Sequence, residues 1–158
     1  LQAAVLKKED LDPVHTELKE IKPWPAVFKQ EYVKNLHGPH VKKEKTHLEL
    51  VDALRADIGS FKREKNVSRC IMVWCASTEA FLQAGPVHSS LSAFEDGLRR
   101  NDPSISPSML YAYAALTSGI PFINGAPNLT VDIPAMVELA NHSQIVGNEQ
   151  VSKVKFFL

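Results

Sequence analysis

Little in this chain lets chemistry be read directly from residue type. Its 158 residues hold two cysteines, Cys70 and Cys75. That is too few for a disulfide framework, and their odd separation along one extended stretch points the thiols to opposite faces. Both are expected as reduced thiols of a cytoplasmic protein. The one close histidine pair, His37 and His40, has no acid or thiol beside it at ligand spacing, so no metal site is expected. Lys and Arg number 18, as do Asp and Glu, for a net charge of zero. The basic cluster Lys42-Lys43-Glu44-Lys45 is broken by an acid and reads as a solvated helix start, which leaves no footprint for nucleic acid. No stretch has the length and flanks of a signal peptide or a membrane span. The first residue is Leu, which suggests that something precedes it. Phosphate loop, nucleophile elbow and Gly-x-Gly-x-x-Gly fingerprint are all missing.

What is present is ordinary globular material, 44% hydrophobic and 23% charged, enough for one domain with its own core. The most informative stretch is Cys70-Ile71-Met72-Val73-Trp74-Cys75-Ala76-Ser77-Thr78-Glu79. An apolar run ends in small polar residues and then an acid, as a buried parallel strand does when its carboxyl end serves a ligand. Pro121-Phe122-Ile123-Asn124-Gly125-Ala126-Pro127-Asn128 repeats the design. Two such strand ends suggest two walls of one crevice.

Helices fill the intervals. Leu1 to Glu20 reads as a helix broken near Asp12-Pro13, and Lys22-Pro23-Trp24-Pro25 stops it. Thr46 followed by Glu49 is a capping box for a helix running to about Lys65. Ser89 to Arg99 is helical and ends at Asn101-Asp102-Pro103. Ser106 caps the next helix with Pro107 at its first position, and Gly119 stops it. Asp132-Ile133-Pro134 opens another, and Gln144-Ile145-Val146-Gly147 is a further short strand. The alternation predicts an α/β fold, a Rossmann-like parallel sheet with helices on both faces.

Each candidate for ligand contact has a plainer reading. Small residues at Cys75-Ala76-Ser77-Thr78 let a ligand approach the main chain, yet Ser77 could equally cap a helix. Gly125 permits backbone angles that other residues avoid and Ala126-Pro127 fixes the direction beyond, but a simple tight turn would look the same.

Val73-Trp74-Cys75-Ala76-Ser77-Thr78-Glu79 resembles the Leu-Trp-Thr-Ala-Asn-Thr-Glu signature of the myo-inositol-1-phosphate synthase family, also called inositol-3-phosphate synthase. Pro121 to Asn128 is similar to its Pro-Phe-Ile-Asn-Gly-Ser-Pro-Gln segment, and Ser106-Pro107-Ser108-Met109-Leu110-Tyr111-Ala112 to its Ser-Pro-Ser-Thr-Leu-Tyr-Ala helix. The resemblance runs from about Thr46 to Gly147.

It implies an NAD-dependent isomerase that converts glucose 6-phosphate to 1D-myo-inositol 3-phosphate in inositol and phospholipid biosynthesis, in the cytoplasm, as a homotetramer. It also implies that Cys75, Ala76, Ser77 and Thr78 line the NAD together with Gly125 and Ala126; Glu79 belongs to the motif with no contact assigned. The division expected is 1–45, a helix and Pro-rich connecting segment; 46–147, the central NAD-binding portion; and 148–158, a divergent tail. The family's glycine-rich loop lies before this chain's first residue. Its Asn-Gln-x-x-Arg-Ala-Asn-Asn stretch is replaced near Asn35-Leu36-His37-Gly38, and Gly147-Asn148-Glu149-Gln150 departs from its Gly-Asp-Asp-Phe. No catalytic residue is assigned, and Lys153 and Lys155 read as a surface tail. The expectation is a fragment inactive alone. The alternatives are a non-catalytic relative that binds or regulates full-length subunits, and an unrelated nucleotide-binding module.

Overall fold

The computed structural model describes residues 7–142. The expected strand at 144–147 and the tail at 148–158 lie outside them. The amino-terminal helix breaks where Pro13 requires it: α1 (Lys8–Leu11) and α2 (His15–Glu20) flank a tight turn at Asp12–Val14. From Ile21 the chain is extended, and Ala26 forms a parallel bridge with Val41.

Helix α3 (His47–Glu64) starts as its sequence requires. Glu49 donates its N–H to the Thr46 hydroxyl at 3.2 Å, and its carboxylate accepts the Thr46 N–H at 3.0 Å. With the Lys45 N–H added, these bonds hold the Glu49 carboxyl below its ordinary range. After α3 come β1 (Met72–Trp74), α4 (Leu91–Arg100), α5 (Pro107–Thr117), β2 (Phe122–Asn124) and α6 (Pro134–His142). Three helices end on one device. Asn66 at φ 49° after α3, Asn101 at φ 55° after α4 and Gly119 at φ 70° after α5 turn the chain left-handed. Each lets the next N–H reach back to a last-turn carbonyl, as Ile120 does to Ala115 at 2.9 Å. Asn101 does more, because its Oδ1 also accepts the first N–H of α3, from His47, at 2.7 Å.

Strands β1 and β2 pair in parallel, with Met72 opposite Phe122, Val73 opposite Ile123 and Trp74 opposite Asn124. The core lies between α3, α4, α5 and α6, where Val51, Phe94, Leu98, Ile105, Met109, Leu110 and Met136 are at most 1% exposed. Burying side chains of this size contributes roughly 1.5–3 kcal/mol each before the entropy cost. Gly97 permits that packing, since a Cβ there would lie 2.4 Å from Val87 Cγ2.

The α/β reading holds, with corrections. The first strand is not buried on both faces: Ile71 and Val73 are 63% and 56% exposed, while Met72 and Trp74 turn toward the helices. Among the described residues the sheet has two strands, so no further element covers that side. Ser77 caps no helix, and residues 75–85 are irregular. The basic cluster is not wholly solvated either. The Lys42 side chain is 6% exposed in a 2.7 Å ion pair with Asp57 of α3, because the Ala26–Val41 bridge folds its stem onto that helix.

Candidate functional site

Parallel pairing brings the two strand tips side by side. Gly125 donates its N–H to the Trp74 carbonyl at 2.8 Å, one residue past the ladder. A Cβ on Gly125 would stand 3.0 Å from that oxygen, so glycine serves here for close approach. The expected need for unusual backbone angles is corrected, because among the described residues Gly119, and not Gly125, is the glycine with positive φ. Beyond Gly125 the tip is tied to itself. Ala126 N–H donates to Asn124 Oδ1 at 3.1 Å, and Asn124 Nδ2 donates to the Asn128 carbonyl at 3.0 Å.

The tip of β1 is built differently. Cys75, Ala76, Ser77 and Thr78 are exposed, and none makes a hydrogen bond within the described residues. Their main-chain donors and acceptors are free to meet a ligand, with no bulky side chain in the way. Cys75, Ala76 and Ser77 line a cavity of about 500 Å³ together with Trp74, Lys29 and Glu79. Thr78, Gly125 and Ala126 are not among its lining, so four of the six expected residues stand at β1's tip and two on the neighbouring tip. Both cysteines are free thiols, Cys75 exposed and Cys70 half-buried.

Sequence reasoning missed the polar groups beneath this tip. Lys29 Nζ donates to His47 Nε2 at 2.5 Å and to the Ile105 carbonyl at 3.4 Å. Burial lowers the Lys29 ammonium from its ordinary range, opposed by Glu31 and Glu79. His47 is pushed down to about 4, first by burial and then by Lys29, with Asp102 opposing. Tyr32 donates its hydroxyl to the Pro103 carbonyl, and burial raises it to about 12. All three residues sit at the junction of the 26–36 loop with the helices, where periodicity carries no signal. His88 is buried too, but fully satisfied, accepting from Gly85 N–H at 2.9 Å and meeting the Ser104 carbonyl at 3.0 Å. Among the described residues no group of His, Cys, Asp or Glu could hold a metal ion, and no helix is long and apolar enough to cross a membrane.

Among the described residues two buried donors at the tips have no partner, the Trp74 indole N–H and Asn128 Nδ2. An unmet buried donor is costly, so these two groups are the least satisfied part of the tips.

A family model of NAD-binding regions, described as myo-inositol-1-phosphate synthase, matches residues 1–152. Inositol-3-phosphate synthase 1 of Bacteroides thetaiotaomicron is 45% identical over 146 residues, which is 92% of this chain and 34% of that protein. The Trypanosoma brucei brucei inositol-3-phosphate synthase is 34% identical over 154 residues, 94% of this chain and 29% of its own length. The crystal structure of the Caenorhabditis elegans inositol-3-phosphate synthase superposes with a TM-score of 0.83 at 26% identity, covering 90% of this chain and 28% of that one. The chain thus spans about a third of the length of the curated relatives it matches.

Proposed function

Since the chain belongs to the myo-inositol-1-phosphate synthase family, and within it to the NAD-binding portion, we propose that it is the part of an inositol-3-phosphate synthase that receives NAD on its two strand tips. The intact enzyme would convert glucose 6-phosphate to 1D-myo-inositol 3-phosphate. The observation that carries the reading is the junction of the tips, with Gly125 bonded to the Trp74 carbonyl beside four residues whose main-chain groups are unused.

The residues present suit such a cofactor. NAD offers many acceptors, and the site offers exposed main-chain N–H groups at Cys75 to Thr78. Gly125 and Ala126 would form the second wall. When bound, NAD supplies reversible acceptance of a hydride. This chain's own part would be to hold and orient the cofactor and to shield one side of it. Nothing at the tips is placed as a general acid or base for substrate, so turnover by these residues alone is expected to be negligible.

The test uses the purified 158-residue chain. Calorimetry should show NAD binding, and NAD should slow alkylation of Cys75 while leaving Cys70 unchanged. No glucose 6-phosphate should be consumed. Absence of binding with unchanged alkylation at both thiols would falsify the cofactor reading, and turnover would refute the inactivity.

A second reading, a non-catalytic relative that joins full-length subunits into the family's tetramer, is favoured by one observation. Exposed Ile71, Val73, Trp24 and Phe61 line an apolar groove of about 320 Å³ along β1. Co-purification with an intact synthase would support it.

A further inference from the structure

We propose that Glu79 is a positioning residue, clasping both strand tips onto the amino-terminal end of α5 so that the cofactor meets one surface; this rests on the NAD reading above. Glu79 is 7% exposed between exposed Thr78 and Ala80. A buried carboxylate persists only where its lone pairs are met. One oxygen accepts the Ser108 N–H at 2.9 Å and the other accepts the Ser108 hydroxyl at 2.6 Å. Ser108 is the second residue of α5, so its N–H is one that the helix leaves without an internal partner, and the negative charge falls on the helix's positive end.

The ring of bonds then closes through the other tip. The Glu79 N–H donates to Asn128 Oδ1 at 3.0 Å. Since the Ser108 proton is committed to Glu79, the hydroxyls of Ser106 and Thr130, each 2.9 Å away, donate to Ser108 Oγ. The Asn128 carbonyl in turn holds the Asn124 side chain at the end of β2, and the Ala80 N–H ties the same segment to the Tyr32 carbonyl at 2.7 Å. Glu79 is therefore the one residue bonded both to α5 and to the β2 tip from within the β1 tip. A simple structural acid would stabilise the fold; a clasp sets the separation of two binding walls.

The experiment compares Glu79→Gln, which keeps the length and one acceptor, with Glu79→Ala and Asn128→Ala in the 158-residue chain. Glu79→Ala should weaken NAD about tenfold and Glu79→Gln about threefold, in proportion to the charged bonds lost. By hydrogen exchange, Ala80 on one tip and Gly125 and Ala126 on the other should lose protection together, while Leu110 to Leu116 within α5 keep theirs. Wild-type protection at either tip in Glu79→Ala, or wild-type NAD affinity in all three variants, overturns the proposal. If the wild-type chain binds no NAD, the cofactor reading fails while the joint exchange still decides the clasp. Should Glu79→Ala not fold, Glu79→Gln and Asn128→Ala carry both readouts.

Discussion

From Pro107 to Leu110 and again from Ala112 to Leu116, every residue of α5 is buried, whereas Cys75 to Thr78 at the tip of β1 are all exposed. The helix is alanine-rich and apolar on all sides because α3, β2 and α6 pack around it. The tip carries small residues, no internal hydrogen bonds and an open cavity. One region gains stability by excluding water from every side; the other leaves its polar groups unmet, which a ligand can then satisfy. Stability and binding are thus divided between two regions of a single crossover, and Glu79 bonds one to the other.

Substitutions can break that separation. The largest effect should come from the helical centre. Phe94 is fully buried, with its ring 5.6 Å from that of Tyr113. Phe94→Ala should cost about 3–5 kcal/mol in a urea titration, while any protein that remains folded binds NAD normally. Weakened binding by the folded fraction would show that the two regions are not separate.

A smaller effect is expected at the junction beneath the tip. Folded His47 takes up its proton only near pH 4, against 6.5 for an ordinary histidine. The unfolded chain therefore binds more protons through that window. The stability His47 contributes is complete above pH 6.5 and lost as pH falls toward 4. His47→Gln retains an acceptor for Lys29 and should flatten the acid limb of a melting-temperature profile, by about 3 °C. An unchanged slope between pH 6.5 and 4 would place the acid sensitivity elsewhere.

The smallest effect belongs to the exposed face of β1. Val73→Thr keeps the branched shape that suits a strand and should change stability by less than about 0.5 kcal/mol. A larger loss would mean that this face is covered in solution.

Local chemistry made much of the fold legible. Pro13, the Thr46–Glu49 box, Ser106-Pro107 and Gly119 act within a few residues of themselves, and each sits at the boundary its sequence indicates. The meeting of the tips was also legible, because two apolar runs ending in small residues have one common solution. What was hidden depends on contacts between distant residues. Lys29 and His47 are 18 positions apart and Glu79 and Ser108 are 29 apart; no periodicity connects them. Glu79 belonged to a visible motif, yet one of its partners is a main-chain N–H at a helix end, a group identical in every residue type, and the other is a hydroxyl 29 positions away. The solvated reading of Lys42 missed its pairing with Asp57 for the same reason.

Asn101 closes α4 with its backbone and holds the first turn of α3 with its side chain. Two helices far apart in sequence therefore share a fastening, and neither end can fray alone. Loosening the last turn of α4 would release the His47 amide, and with it the imidazole that faces Lys29 under the cavity. A disturbance arising at the back of the molecule thus has a route of two hydrogen bonds to the binding rim, one that a glycine at this position would keep in shape but disconnect.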